Sequence, residues 1–161
     1  MLRILIAVDG SELALDAVRH GLELMRRGGL RATLVLGHVE EEASFIELAT
    51  QGADAVAEAS VAAGRHLMAS AVALVEAAGV PYETEIALGP VAATLVDMVE
   101  NCGCDALFIG ALGLGGLRGA WLGSVSQALV HQSPVPVTVV KHADPDDDNE
   151  GAGEDEDGGE D

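Results

Sequence analysis

Apolar residues recur along this chain in two rhythms. Residues 4–8, 32–39 and 106–109 form nearly unbroken apolar runs rich in branched side chains, the pattern of strands covered on both faces. Residues 82–88 alternate and predict a further strand, and 137–140, opened by Pro134 and Pro136, predict a fifth. Between these runs the spacing changes to three and four. Leu15, Val18, Leu22 and Met25 predict a helix that Ser11 can cap and Gly28-Gly29 closes. Val56, Ser60, Ala63, Leu67, Ala71 and Leu74 trace one face of an Ala-rich helix from about 51 to 78, ended by Gly79 and Pro81. Gly89-Pro90 introduces a third helix with Ala92, Leu95, Val96 and Val99 inward, and a short helix follows over about 125–131.

Five strands alternating with helices predict an α/β fold, a doubly wound, open, five-stranded parallel sheet with helices on both faces. Such sheets bind ligands beyond the carboxyl ends of their strands, where the strand order reverses. Asp9, Val39 and Gly110 stand at three of those ends.

Composition narrows the picture. A chain of 161 residues suffices for one such domain, and with aromatics at 2 % its core must be built from Val, Leu, Ile and Ala. Against 8 Lys and Arg stand 27 Asp and Glu, a formal charge of −19, so the field repels nucleic-acid backbones and anionic membranes. The last 18 positions hold 11 acidic residues and no Lys or Arg, so 143–161 reads as a disordered acidic tail, either solubilising or docking a basic partner. Residues 106–117, an uncharged apolar run of 12, fall short of the roughly 20 that a membrane helix needs. With no signal-like order at the N-terminus, the expectation is a cytoplasmic protein without membrane insertion. Cys102 and Cys104, separated by one glycine, read as reduced structural thiols.

Candidate chemistry concentrates between the fourth strand and the last helix. Residues 110–124 are glycine-dense, and Gly123-Ser124 meets a helix start, where free N–H groups and the helix dipole favour an anion. The loop is not a Walker loop, since no Lys follows a glycine in it. On residues alone it is either a phosphate cradle or a flexible connection, and Ser124 to Gln127 also fits a capping box. Asp9 either joins a ligand site or binds amides near Ser11. His38 reads as packing rather than as a metal ligand, and Trp121 as an anchor for the loop.

Taken in order, these pieces resemble the universal stress protein family over residues 1 to about 141. The resemblance rests on residues 4–11 ending Val8-Asp9-Gly10-Ser11, on Leu36-Gly37-His38-Val39, on Gly89-Pro90, on the pattern Gly110, Gly113, Gly123, Ser124, and on the closing strand after Pro134. It implies a Rossmann-like nucleotide-binding domain over 1–142 and the family's ATP-binding subclass. Ala7, Asp9 and Val39 would meet the adenine and ribose side. Ile109, Gly110 and Gly113 would line the ribose and phosphates, and Gly123, Ser124 and Val125 would hold the phosphate end with a divalent cation, Mg or Mn. The resemblance also implies a homodimer paired through residues 137–140. Ala111 and Leu112 depart from the family, which often carries a hydroxyl and then a basic residue there; Arg118 is the loop's one cation, and the departure would weaken ATP or favour ADP or AMP.

Neither a Ser-His-Asp arrangement nor paired catalytic carboxylates stand out, which disfavours an efficient enzyme. The expected function is a nucleotide-responsive regulator in which bound phosphate fixes residues 110–124 and a partner protein reads the altered surface. A slow ATPase using Asp9 or a bound metal, and a nucleotide-free dimeric interaction module, are the alternatives.

Overall fold

The computed structural model describes residues 1–41, 52–111 and 122–141. The strands are β1 (Leu2–Ala7), β2 (Ala32–Glu40), β3 (Tyr82–Leu88), β4 (Ala106–Gly110) and β5 (Val137–Val140). The helices are α1 (Glu12–Gly28), α2 (Ala53–Ala78), α3 (Val91–Asn101) and α4 (Ser124–Gln132). All strand pairs are parallel, in the order β3-β2-β1-β4-β5.

Alternation explains why the strands read as unbroken apolar runs. Ile4, Ile6, Leu34 and Leu36 point to one face and pack with Leu15 and Val18 of α1 and Met68 and Val75 of α2. Leu5, Val35 and Leu107 point to the other, against Leu95, Met98 and Val99 of α3 and Leu129 of α4. Each central strand thus buries both sides, and no polar alternation is left in the sequence.

The helix ends follow the predicted punctuation. The Ser11 hydroxyl accepts the Ala14 N–H at 3.2 Å, and Gly29 closes α1 in the left-handed conformation, φ 60°. One helical face differs from its prediction. The buried stripe of α2 is Gly64, Met68, Ala71 and Val75, while Ala63 and Leu67 are exposed. Gly64 sets the rotation, because a Cβ there would lie 2.9 Å from His38 Cδ2 and 3.1 Å from Ile86 Cγ2. The absent side chain lets the helix backbone approach β2 and β3, and an Ala-rich sequence offers too little contrast between faces to reveal it. By length and composition α2 could also cross a bilayer, although here that stripe packs on the sheet. The acidic residues 143–161 lie outside the described residues.

Candidate functional site

The chain crosses over between β1 and β4, so the connections leaving their carboxyl ends diverge and open a crevice between them. Three helices begin around it. From β1 the chain turns at Asp9, whose Oδ1 accepts both the Ser11 N–H at 2.9 Å and the Ser11 O–H at 2.6 Å. That turn starts α1. Val91 begins α3 after Pro90, and Ser124 begins α4 after Gly123.

A cavity of about 180 Å³ occupies the crevice. Ala7, Asp9, Val39, Ile109, Gly110, Gly123, Ser124 and Val125 all border it, so eight of the residues singled out from sequence meet in one place. Gly113 lies outside the described residues, as do Leu112, Arg118 and Trp121. The sequence reading missed Leu13 and Ala14 of α1, Gly37 of β2, Val91 and Leu95 of α3, and Ser126 of α4 as lining residues. Their spacing in sequence reports only which way they face within their own element. Which helix starts converge is decided by strand order.

Gly110 is fixed by close approach. A Cβ on it would fall against the Leu13 carbonyl, 2.6 Å from its carbon and 3.1 Å from the Ala14 nitrogen. The end of β4 therefore sits directly against the first turn of α1, and glycine is the residue that permits it. The next residue, Ala111, donates its N–H to the Val140 carbonyl at 2.7 Å, which ties the root of the glycine-rich segment to β5.

Ser124 differs from its capping-box reading. Gly123 is the N-cap, with extended backbone (φ −67°, ψ 163°) and no side chain to offer, and Ser124 is the first helical residue, exposed at the cavity. Without a side-chain cap the first-turn amides of α4 keep their donor capacity, and the helix dipole adds positive potential there. The rest of the lining is largely apolar, with Ala7, Val39, Val91, Leu95, Ile109 and Val125 forming walls. An apolar chamber with an amide-rich, anion-favouring end suits a ligand that joins a flat, weakly polar group to a phosphate.

His38 packs beneath this site, as the sequence suggested. It is 4 % exposed, with Nδ1 2.7 Å from the Val8 carbonyl and Nε2 3.0 Å from Glu40 Oε1. A carbonyl only accepts, so Nδ1 is the donor to Val8, and Nε2 faces the Glu40 carboxyl. The ring thereby ties the end of β1 to the end of β2. Among the described residues no group of three or more His, Cys, Asp or Glu side chains could hold a metal ion.

The groups with shifted titration lie elsewhere. At the amino ends of the strands, Arg3 donates to both carboxylate oxygens of Glu83 at 2.9 and 2.7 Å and to the Cys102 carbonyl at 2.7 Å. Hydrogen bonding to Glu83 raises the Arg3 pKa, and Arg3 lowers that of Glu83. Burial pushes the Cys104 thiol up to about 11 and that of Cys102 up as well; both cysteines are free.

A parallel sheet with a crevice at its switch point, ringed by helix starts, defines an α/β protein with a small-ligand chamber that favours an anion at one end. The chain belongs to the universal stress protein family, whose model matches residues 1–141. Universal stress protein MJ0531 of Methanocaldococcus jannaschii is 27 % identical over 140 residues, covering 86 % of this chain and 81 % of that one. Two solved structures share the fold. The hypothetical protein MJ0577 superposes with a TM-score of 0.74 at 24 % identity, over 89 % of this chain and 97 % of the other. A universal stress protein family protein of Arabidopsis thaliana, solved with AMP bound, gives 0.65 at 21 % identity, over 89 % and 93 %.

Proposed function

We propose that this chain binds an adenine nucleotide in the crevice between β1 and β4 and acts as a nucleotide-responsive regulatory protein. The observation that carries the reading is the meeting of Ala7, Asp9, Val39, Ile109, Gly110 and the start of α4 around one cavity. Apolar walls and peptide edges from Ala7 and Val39 suit the base, Asp9 suits the ribose hydroxyls, and the uncapped amides of residues 124–126 suit phosphate. The AMP bound by the Arabidopsis relative supports the same ligand class. ATP, ADP and AMP all fit this chemistry, and Mg or Mn would enter on the phosphates of the larger two.

Binding rather than turnover is the role this geometry favours. The Asp9 carboxylate is already engaged by two donors from Ser11, which opposes its acting as a general base. A homodimer belongs to the same proposal. β5 is an edge strand of Val137, Thr138, Val139 and Val140 with no charge, whereas the opposite edge, β3, is guarded by Glu83 and Glu85.

The test is to denature freshly purified protein, identify released nucleotide, and repeat with Gly113→Val. Adenine nucleotide released from the wild type and lost in the variant is the expected result. A wild type that carries none and ignores added ATP with Mg²⁺ would overturn the proposal and leave an interaction module without nucleotide.

A further inference from the structure

His38 and Val39 are neighbours in β2 whose side chains take opposite faces of the sheet. Val39 borders the crevice, whereas the His38 ring lies on the far side beneath α2, where a Cβ on Gly64 would come within 2.9 Å of its Cδ2. Elsewhere on that face β1 and β2 present Ile4, Ile6, Leu34 and Leu36. An aliphatic side chain at 38 would continue the series with no polar group to desolvate, so the imidazole is kept for the bonds it makes.

Those bonds hold the turn that enters the site. The β1–β2 register ends with Ala7 opposite Gly37, and the Val8 N–H still reaches the Gly37 carbonyl at 2.8 Å. The Val8 carbonyl is then met by a side chain. His38 Nδ1 donates to it at 2.7 Å, while Glu40 Oε1, 3.0 Å from Nε2, orients the ring. That carbonyl shares its peptide plane with the Asp9 N–H. Gly10 follows at φ 84°, and a Cβ on it would lie 2.8 Å from Leu67 Cδ2 of α2. The turn from Val8 to Gly10 is thus braced from behind by His38 and α2, while Ala7, Val8 and Asp9 border the crevice.

We propose that His38 is a positioning residue for the nucleoside end of the site: by holding the Val8 carbonyl from the far face of the sheet, it sets the peptide between Val8 and Asp9 and with it the place of the Asp9 carboxylate. The inference rests on the nucleotide reading above. Asparagine carries a donor nitrogen on Cγ, as histidine does with Nδ1, so His38→Asn keeps the bond to Val8 and gives up Glu40. His38→Gln moves the nitrogen one bond further out, and His38→Leu has no donor. Loss of this one hydrogen bond lowers affinity for adenosine and AMP alike, about five- to tenfold in the Gln and Leu variants, and leaves the Asn variant within about twofold of wild type.

The test is calorimetric titration of wild type and the three variants with adenosine and AMP, at a temperature where circular dichroism shows each protein folded. The nitrogen shift of the Asp9 amide, which reports hydrogen bonding at the Val8 carbonyl, is followed beside it and should move in the Gln and Leu variants but not in the Asn variant. Wild type that binds neither ligand overturns the nucleotide reading, and this inference with it. Wild type that binds both, with Gln and Leu variants that bind equally well, overturns the role of His38 alone. So does an Asn variant as weak as the Gln variant, which would make the ring a space-filling group, or an Asp9 amide that stays in place in His38→Gln. If His38→Leu does not fold, the comparison of Asn with Gln makes the same decision.

Discussion

Replacing Gly110 with alanine tests the construction of the site at its tightest point. The new methyl would stand 2.6 Å from the Leu13 carbonyl carbon and 3.1 Å from the Ala14 nitrogen. These are backbone atoms in the first turn of α1, so no rotamer change relieves the clash. Either β4 or the start of α1 must shift by several tenths of an ångström. Overpacking of this kind costs about 1–3 kcal/mol, and backbone neighbours place the expected loss near the middle, about 2 kcal/mol. For a domain of this size that is a fall in melting temperature of roughly 4–8 °C. Gly28→Ala is the matched control, since its Cβ would meet nothing within 4 Å and alanine favours a helical position. Circular-dichroism melts of the two variants beside wild type should show Gly110→Ala well below and Gly28→Ala at or above it. If Gly110→Ala melts within about 1 °C of wild type, the close contact between β4 and α1 is wrong.

The remaining outcomes are quicker to state. Ser11→Ala removes the side-chain cap of α1 and the hydroxyl that donates to Asp9, leaving the backbone N–H on that carboxylate, and urea unfolding should show a loss of about 1 kcal/mol. Glu83, whose carboxyl is held below its ordinary range by Arg3, contributes stability above the unfolded-state value and loses it as pH falls through the lower folded-state value. The difference in urea midpoint between wild type and Glu83→Gln should therefore be present at pH 7 and vanish on acidification. With its thiol at about 11 against an ordinary 9.0, Cys104 holds roughly 100-fold less thiolate at pH 8 when folded than when unfolded. Alkylation in native buffer should lag alkylation in denaturant accordingly, and stability should decline above pH 9, where the unfolded chain releases this proton and the folded chain keeps it.

Local rules reached far into this fold because its elements are locally consistent. Tyr82–Leu88 was legible to the residue, since alternation, Pro81 and Gly89 mark both ends. The two glycines after Arg27 and the cap at Ser11 bounded α1 equally well. The inward face of α2 was not legible, because its rotation is set by the contact of Gly64 with His38 and Ile86, residues on two other elements. The capping role expected of Ser124 went to Gly123, one residue earlier, and that shift frees the Ser124 hydroxyl at the cavity mouth. Within the site, the strand-end positions Asp9, Val39 and Gly110 could be named from sequence because the parallel topology puts every strand's carboxyl end on one edge. Leu13, Val91 and Ser126 could not, since their meeting requires the order β3-β2-β1-β4-β5.

Adding ATP or AMP to isotopically labelled full-length protein and following the backbone amide resonances tests the central claim most directly, because it reports binding and place together. Saturable shifts clustered at Ala7 to Asp9, Val39, Gly110 and residues 123–126 are the predicted result. No shift at millimolar nucleotide with Mg²⁺, or shifts confined to the β5 edge and the outer face of α2, would contradict the account.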